Sequence, residues 1–179
     1  VTTFAHAAFR RVVRVLSAHG GDLMTRKTLV AAAMLAVCLS GQVLAQNPAT
    51  LITKAEVEKA TGASFKDGWA PMPEQVQFEQ ASGDMQVSLE VEPREAGATV
   101  RTWAATMQKM RPSFTVETVP GLGSDAIVYS TRPDLAKVSF DVEKPRVQIS
   151  VSVSGAKTPV QARQIVIDLA KLAAARAGK

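Results

Sequence analysis

QVQFEQASGDMQVSLEV, residues 75–91, is a pair of alternating runs around a polar break, ASGD. In its second half Met85, Val87, Leu89 and Val91 alternate with Gln86, Ser88, Glu90 and Glu92. A period of two puts every apolar side chain on one face and every polar one on the other, as in an antiparallel hairpin lying on a core. KVSFDVEKPRVQISVSV, residues 137–153, repeats the pattern and overlays the first stretch without a gap at an offset of 62 residues. Val76 falls on Val138, Phe78 on Phe140, Gln86 on Gln148, Ser88 on Ser150 and Val91 on Val153. The same offset lays RTWAATMQKM (101–110) over RQIVIDLAKL (163–172). One register across two connections points to a duplicated hairpin–helix unit, with copies over about 52–111 and 114–177; the alternative is that any two such units look alike.

The helices carry their own signals. Val100, Trp103, Ala104, Met107 and Met110 recur at helical spacing until Pro112 stops them, and this Trp/Met stripe is expected in the core. In the second copy Thr158 is an N-cap, Pro159 opens the first turn and Gln161 completes a capping pattern. Ile165, Val166, Leu169, Leu172 and Ala173 form the expected buried stripe. Upstream, TKAEVEKATG reads as a short helix capped by Thr53 with Glu56, its apolar side begun by Ala55 and Val57, and ended by Gly62. SFTVETV and SDAIVYS add strands around the turn PGLG. The expectation is an α+β fold, an antiparallel sheet of about six strands with helices packed on one face.

The first 45 residues read as an address label. Arg26 and Lys27 precede the apolar TLVAAAMLAVCL, and SGQVLA ends in small residues that suit cleavage between Ala45 and Gln46. The apolar run falls short of the 20 or so residues a membrane helix needs. Residues 24–45 are therefore expected to be a signal peptide, and residues 46–179 a single exported domain. Gly20-Gly21-Asp22 can be encoded by a bacterial ribosome-binding sequence at a suitable distance before Met24. Residues 1–23 then lie upstream of the translation start, the alternative being a disordered or basic amphipathic extension. Cys38 follows LAV, and a lipid anchor there is the minority reading because Val37 stands where a lipidation motif wants a small residue.

Composition removes several chemistries. The leader holds five of the 21 basic and one of the 16 acidic side chains, which leaves 16 against 15 after cleavage. A nucleic-acid footprint needs clustered positive charge, and none is visible. His6, His19 and Cys38, the only residues of their types, all precede the cleavage site. The expected mature chain thus lacks the ligands of the usual zinc sites and the partners of Cys–His or Ser–His nucleophiles. No metal and no cofactor is expected.

ITKAEVEKATG and PGLGSDAIVYS together resemble small exported bacterial proteins of unknown function, which begin with a Thr-capped KAEVE helix and carry a GLGSDA-like turn before a strand. The resemblance covers most of Ile52 to Gly178 and implies an exported domain of sheet and helices. It supplies no catalytic residue, and the lipid-anchoring cysteine motif of many such proteins is absent here.

KDGWAPMPEQ is the most suggestive stretch for binding. Trp69 and Met72 stand among Gly68, Pro71 and Pro73, outside any periodic stripe, and such side chains anchor apolar partners. The competing reading has Trp69 folding back over the sheet edge. The polar face, with Gln77, Glu79, Gln86, Ser88, Glu90, Ser139, Asp141, Gln148, Ser150 and Ser152, is the second candidate, against an ordinary solvated surface. PGLG lacks the lysine and helix of a phosphate loop and is read as a turn. Asp125, Asp134 and Asp141 lie in or beside strands with nothing to pair them for acid–base work; TRPD is a hairpin turn, and Ser124 lacks a base. The chain is expected to be a periplasmic or secreted binding or accessory module, taking a protein or a small apolar ligand and performing no chemistry. A carboxylate- or Ser–Lys-dependent hydrolase and a self-associating envelope structural protein are the alternatives.

Overall fold

The two hairpins meet at the centre of one sheet. In the computed structural model, which describes residues 47–122 and 125–177, a 3-10 turn (Pro48–Thr50) leads into helix α1 (Lys54–Thr61) and the hairpin of β1 (Gln75–Glu79) and β2 (Gln86–Pro93). Helix α2 (Val100–Met110), β3 (Val116–Thr118), β4 (Ile127–Arg132), β5 (Leu135–Val142), β6 (Val147–Ser154) and helix α3 (Pro159–Arg176) follow. The strand order is β1-β2-β6-β5-β4-β3 and every pairing is antiparallel. The α+β class and the six-stranded antiparallel sheet are those expected from the alternation. The β2–β6 register runs from Gln86↔Ser154 to Pro93↔Val147. Its midpoint partner Leu89↔Val151 is the pair that an offset of 62 maps onto itself.

Met85, Val87, Leu89 and Val91 are buried, as are Val147, Ile149, Val151 and Val153. They form one cluster with Val138, Phe140, Leu51, Ile52 and Val57, over which α3 lays Ile165, Val166, Leu169 and Ala173. Each fully buried aliphatic or aromatic side chain here contributes roughly 1.5–3 kcal/mol relative to exposure. Two details differ from expectation: Leu172 is on the exposed side of α3, and Ala55 is exposed while Val57 carries the apolar side of α1. The caps form. Thr53 and Glu56 make the capping box of α1, which ends at Gly62. Thr158 Oγ1 accepts from the Gln161 N–H at the start of α3, while the Gln161 side chain accepts from the Lys157 N–H.

Glu56 also ties the two ends of the domain together. Arg176, at the end of α3, donates to Glu56 Oε2 at 2.8 Å and to the Leu51 carbonyl at 2.9 Å. The Arg176 hydrogen bond, aided by donors from Thr53, holds the Glu56 carboxyl down to about 2. A depressed carboxylate stabilises the fold above its unfolded value of about 4.3 and loses that contribution as pH falls through its folded value. Glu56→Gln is expected to cost about 1 kcal/mol at pH 7 after allowance for solvent screening. It should also flatten the loss of stability between about pH 4.5 and pH 2. Urea titrations of both proteins at pH 7 and pH 3 check this; equal pH slopes would refute it.

The placement of α2 departs from the expectation that the helices share one face. Ile127 pairs with Ser139, on the side of β5 opposite Val138 and Phe140. Val100 and Ala104 of α2 pack with that Ile127, and with Val116 and Tyr129, in a cluster of their own. Helices α1 and α3 thus cover the apolar face, and α2 lies across the polar one. As a result Ser139 and Ser150, expected on a solvated surface, are buried and bond to each other at 2.8 Å. The Trp/Met stripe, expected in the core, is largely in solvent: Trp103 is 41% and Met110 68% exposed.

Candidate functional site

Trp69 is carried by a segment that runs antiparallel along the outer edge of β1. The Trp69 N–H donates to the Gln77 carbonyl at 3.0 Å and the Gln77 N–H returns to the Trp69 carbonyl at 2.8 Å. Upstream, Lys66 N–H bonds the Glu79 carbonyl and Ala81 N–H the Ser64 carbonyl, each at 2.8 Å. Gly68 is required because the segment crosses the Phe78 ring; a Cβ there would stand 2.6 Å from Phe78 Cε1. The backbone therefore covers the sheet edge, while the Trp69 and Met72 side chains do not fold back over it. Trp69 is 48% and Met72 50% exposed, with the Met72 carbonyl accepting from Gln75 N–H to close the turn into β1. Ion pairs Lys54–Asp67 and Lys66–Glu79, at 3.0 and 3.1 Å, flank the segment.

Because Trp69 pairs with Gln77, its indole is on the face of β1 that also carries Gln77, the same face on which α2 lies. The pairing continues without a break: Gln77↔Ser88, Ser88↔Ser152, Ser152↔Lys137, Lys137↔Tyr129. These side chains make one row across the sheet. Ser88 and Ser152 hydroxyls are 2.7 Å apart, and Lys137 is ion-paired to Glu90 at 3.6 Å. At the far end Tyr129 packs against Trp103, ring centroids 5.2 Å apart, and both touch Phe114. Burial, its largest influence, raises the pKa of Tyr129, so its phenol is a neutral hydrogen-bonding group.

The neighbouring row, Glu90–Ser150–Ser139–Ile127, ends under α2. Where α2 begins, Asp141 Oδ2 accepts from the Val100 N–H at 3.0 Å. Asp141 Oδ1 is 3.6 Å from Arg94 Nε, and both side chains are buried. Neither of those two atoms has a hydrogen-bond partner. Burial, ahead of every other influence, pushes the Asp141 carboxyl up. Arg94 also reaches the Ala98 carbonyl at 3.1 Å and the exposed Glu143.

The acid–base candidates are not brought together. Asp125 pairs with Arg101 at 3.1 Å, Asp134 with Arg132 at 3.4 Å, and Asp141 with Arg94. Serine and lysine meet at Lys137 and Ser152, but Lys137 is paired to Glu90 and Ser152 to Ser88. TRPD forms the β4–β5 turn. Within PGLG, Gly121 has φ +83°; Gly123 and Ser124 lie outside the described residues. So do the leader, the cleavage pair Ala45 and Gln46, the two histidines and Cys38.

Among the described residues no group of three His, Cys, Asp or Glu could hold a metal ion, and no helix is long and apolar enough to cross a membrane. Two open clefts flank the Pro120–Leu122 turn on the α3 side. One, of about 330 Å³, lies between Thr118 and Arg163; the other, of about 480 Å³, lies between Leu122 and Ala174. Lys171 borders both, and neither reaches Trp69 or Met72. Sequence reasoning missed the second aromatic end, Trp103 with Tyr129; only the strand register joins it to Trp69.

No family model, curated protein or solved structure matches the chain. Fold and site stand on their own geometry.

Proposed function

We propose that the chain is an exported binding module, periplasmic or secreted, which engages its partner through Trp69 and Met72 and carries out no chemistry. The observation that carries the reading is the combination of a backbone-clamped segment with half-exposed side chains. An aromatic and a thioether held in place lose little freedom on binding and bury apolar area when covered. The two clefts beside the Pro120–Leu122 turn lie away from Trp69 and Met72, which favours an extended partner laid over this surface rather than a small apolar ligand held in either cleft. Export rests on the leader, with Arg26 and Lys27 before the apolar run and cleavage between Ala45 and Gln46. Descent of the two hairpins from one duplicated unit is a further part of this reading, supported by the register centred on Leu89↔Val151.

A photo-crosslinking residue at position 72 of the full chain, expressed in a bacterial host, tests the site. A discrete adduct is expected at position 72 and none at position 160, although Val160, at 78% exposure, is more solvent-facing than Met72. Trp69→Ser should weaken the adduct at least fivefold, a hot-spot-sized effect of about 1 kcal/mol or more. Equal labelling at both positions, or none at 72, would refute the reading.

A further inference from the structure

Both tryptophans of the chain stand at the ends of one row. Trp69 opens it at the β1 edge, Trp103 closes it against Tyr129, and Gln77, Ser88, Ser152 and Lys137 make the floor between them. A row perpendicular to the strands repeats once per strand spacing, about 4.8 Å, so the five steps from Trp69 to Tyr129 span roughly 24 Å. Helix α2, seated on the adjacent row through Ile127, forms a wall along the Tyr129 end. The floor presents hydroxyl and amide groups that both donate and accept. Its charges are compensated, Lys137 by Glu90 and the nearby Glu79 by Lys66.

We propose that this row is a binding site for an extended, uncharged glycan chain of equatorially linked hexoses. The charge balance selects against phosphate-rich or strongly acidic polymers, which need unpaired cations. The hydroxyl and amide floor offers hydrogen bonds of the kind a sugar makes along its edge. The terminal indoles offer the flat apolar faces on which the C–H faces of a pyranose ring pack. The strand spacing is close to the length of one hexose in such a chain, so successive sugars meet successive side chains in step. A sheet row is rigid, and the ligand is an extended ribbon, so neither has to reorganise much. The inference extends the Trp69 reading by naming a ligand class for the same face, and it rests on Trp69 being open to a partner.

The test is a titration of the full chain, followed by tryptophan fluorescence and calorimetry, with the β-1,4-linked hexamer of N-acetylglucosamine and the β-1,4-linked hexamer of glucose as probes. At least one hexamer is expected to bind and to shift the fluorescence, with the corresponding dimer at least tenfold weaker because it cannot span the row. Trp69→Ala should weaken the hexamer about tenfold, the size of one lost stacking contact. The paired change Ser88→Ala and Ser152→Ala, which leaves both tryptophans in place, should weaken it by a similar factor. Val160→Ser, on the α3 side, should leave it unchanged. Circular dichroism confirms that each variant is folded. Neither hexamer binding at millimolar concentration, dimer and hexamer binding alike, or both Trp69→Ala and the serine pair without effect would each overturn the proposal. If the hexamers fail while the position-72 adduct to a protein persists, the glycan inference falls and the partner reading stands.

Discussion

Asp141→Ala lowers the free energy of unfolding by about 3 kcal/mol, the usual cost of leaving one member of a buried ion pair alone. The Arg94 and Asp141 side chains are 7% and 6% exposed. Two of their atoms face each other at 3.6 Å without a hydrogen bond, so the pair is a poor one. Burial holds the carboxyl above its ordinary value, which means that ionised Asp141 is a net cost to the fold. A raised folded pKa stabilises below the unfolded value and is lost as pH rises through the folded one. What makes the alanine variant unstable is the remainder: Arg94 keeps only Ala98 and the solvent-facing Glu143, and the Val100 N–H loses its acceptor. Replacing both residues, Arg94→Leu with Asp141→Leu, should therefore recover most of the loss, leaving about 1 kcal/mol for the missing hydrogen bond. Urea unfolding midpoints of the two single variants and the pair check the sign; an additive pair would refute the account.

Gly155→Ala is expected to cost about 3 kcal/mol, a drop of roughly 10 °C in Tm for a domain of this size. The residue follows β6 with φ +74°, and an added Cβ would stand 2.4 Å from the Asp84 carbonyl oxygen. A left-handed backbone costs an L-residue about 1–2 kcal/mol, and the rest is steric. The obstacle is backbone, held where Gln86 pairs with Ser154, so neither side can give way without opening the register between the two hairpins. Calorimetric melting shows the effect; a shift of under 3 °C would mean that the β1–β2 turn yields.

How much of this was readable beforehand follows from the range of each signal. Alternation at Val87, Leu89, Val147 and Val151 is local, and so are the caps at Thr53 and Thr158; all of these formed. The face on which a helix settles is not local. Val100, Trp103, Ala104, Met107 and Met110 have the spacing of a core stripe, but α2 lies on a face whose apolar offering is little more than Ile127, Tyr129 and Val116. Only Val100 and Ala104 are buried there, while Trp103 and Met110 stay open. The same choice buries Ser139, Ser150 and Asp141, which a period-two reading assigns to solvent. Trp69 and Met72 could be singled out because Gly68, Pro71 and Pro73 break every period around them. The row from Trp69 to Tyr129 could not, since its members are scattered along the 84 positions from Trp69 to Ser152 and meet through strand register alone.

The central place of β6 has a consequence for the order of events in folding. Strand β6 inserts between β2 and β5, so the β1–β2 hairpin acquires its inner neighbour only once β6 has been made. Four of the five pairings join consecutive strands, and the one long-range pairing, β2 with β6, is the step expected to close slowly. Until then the inner edge of β2 stays unpaired, the kind of exposed edge that makes a partly folded chain prone to aggregation and a target for chaperones.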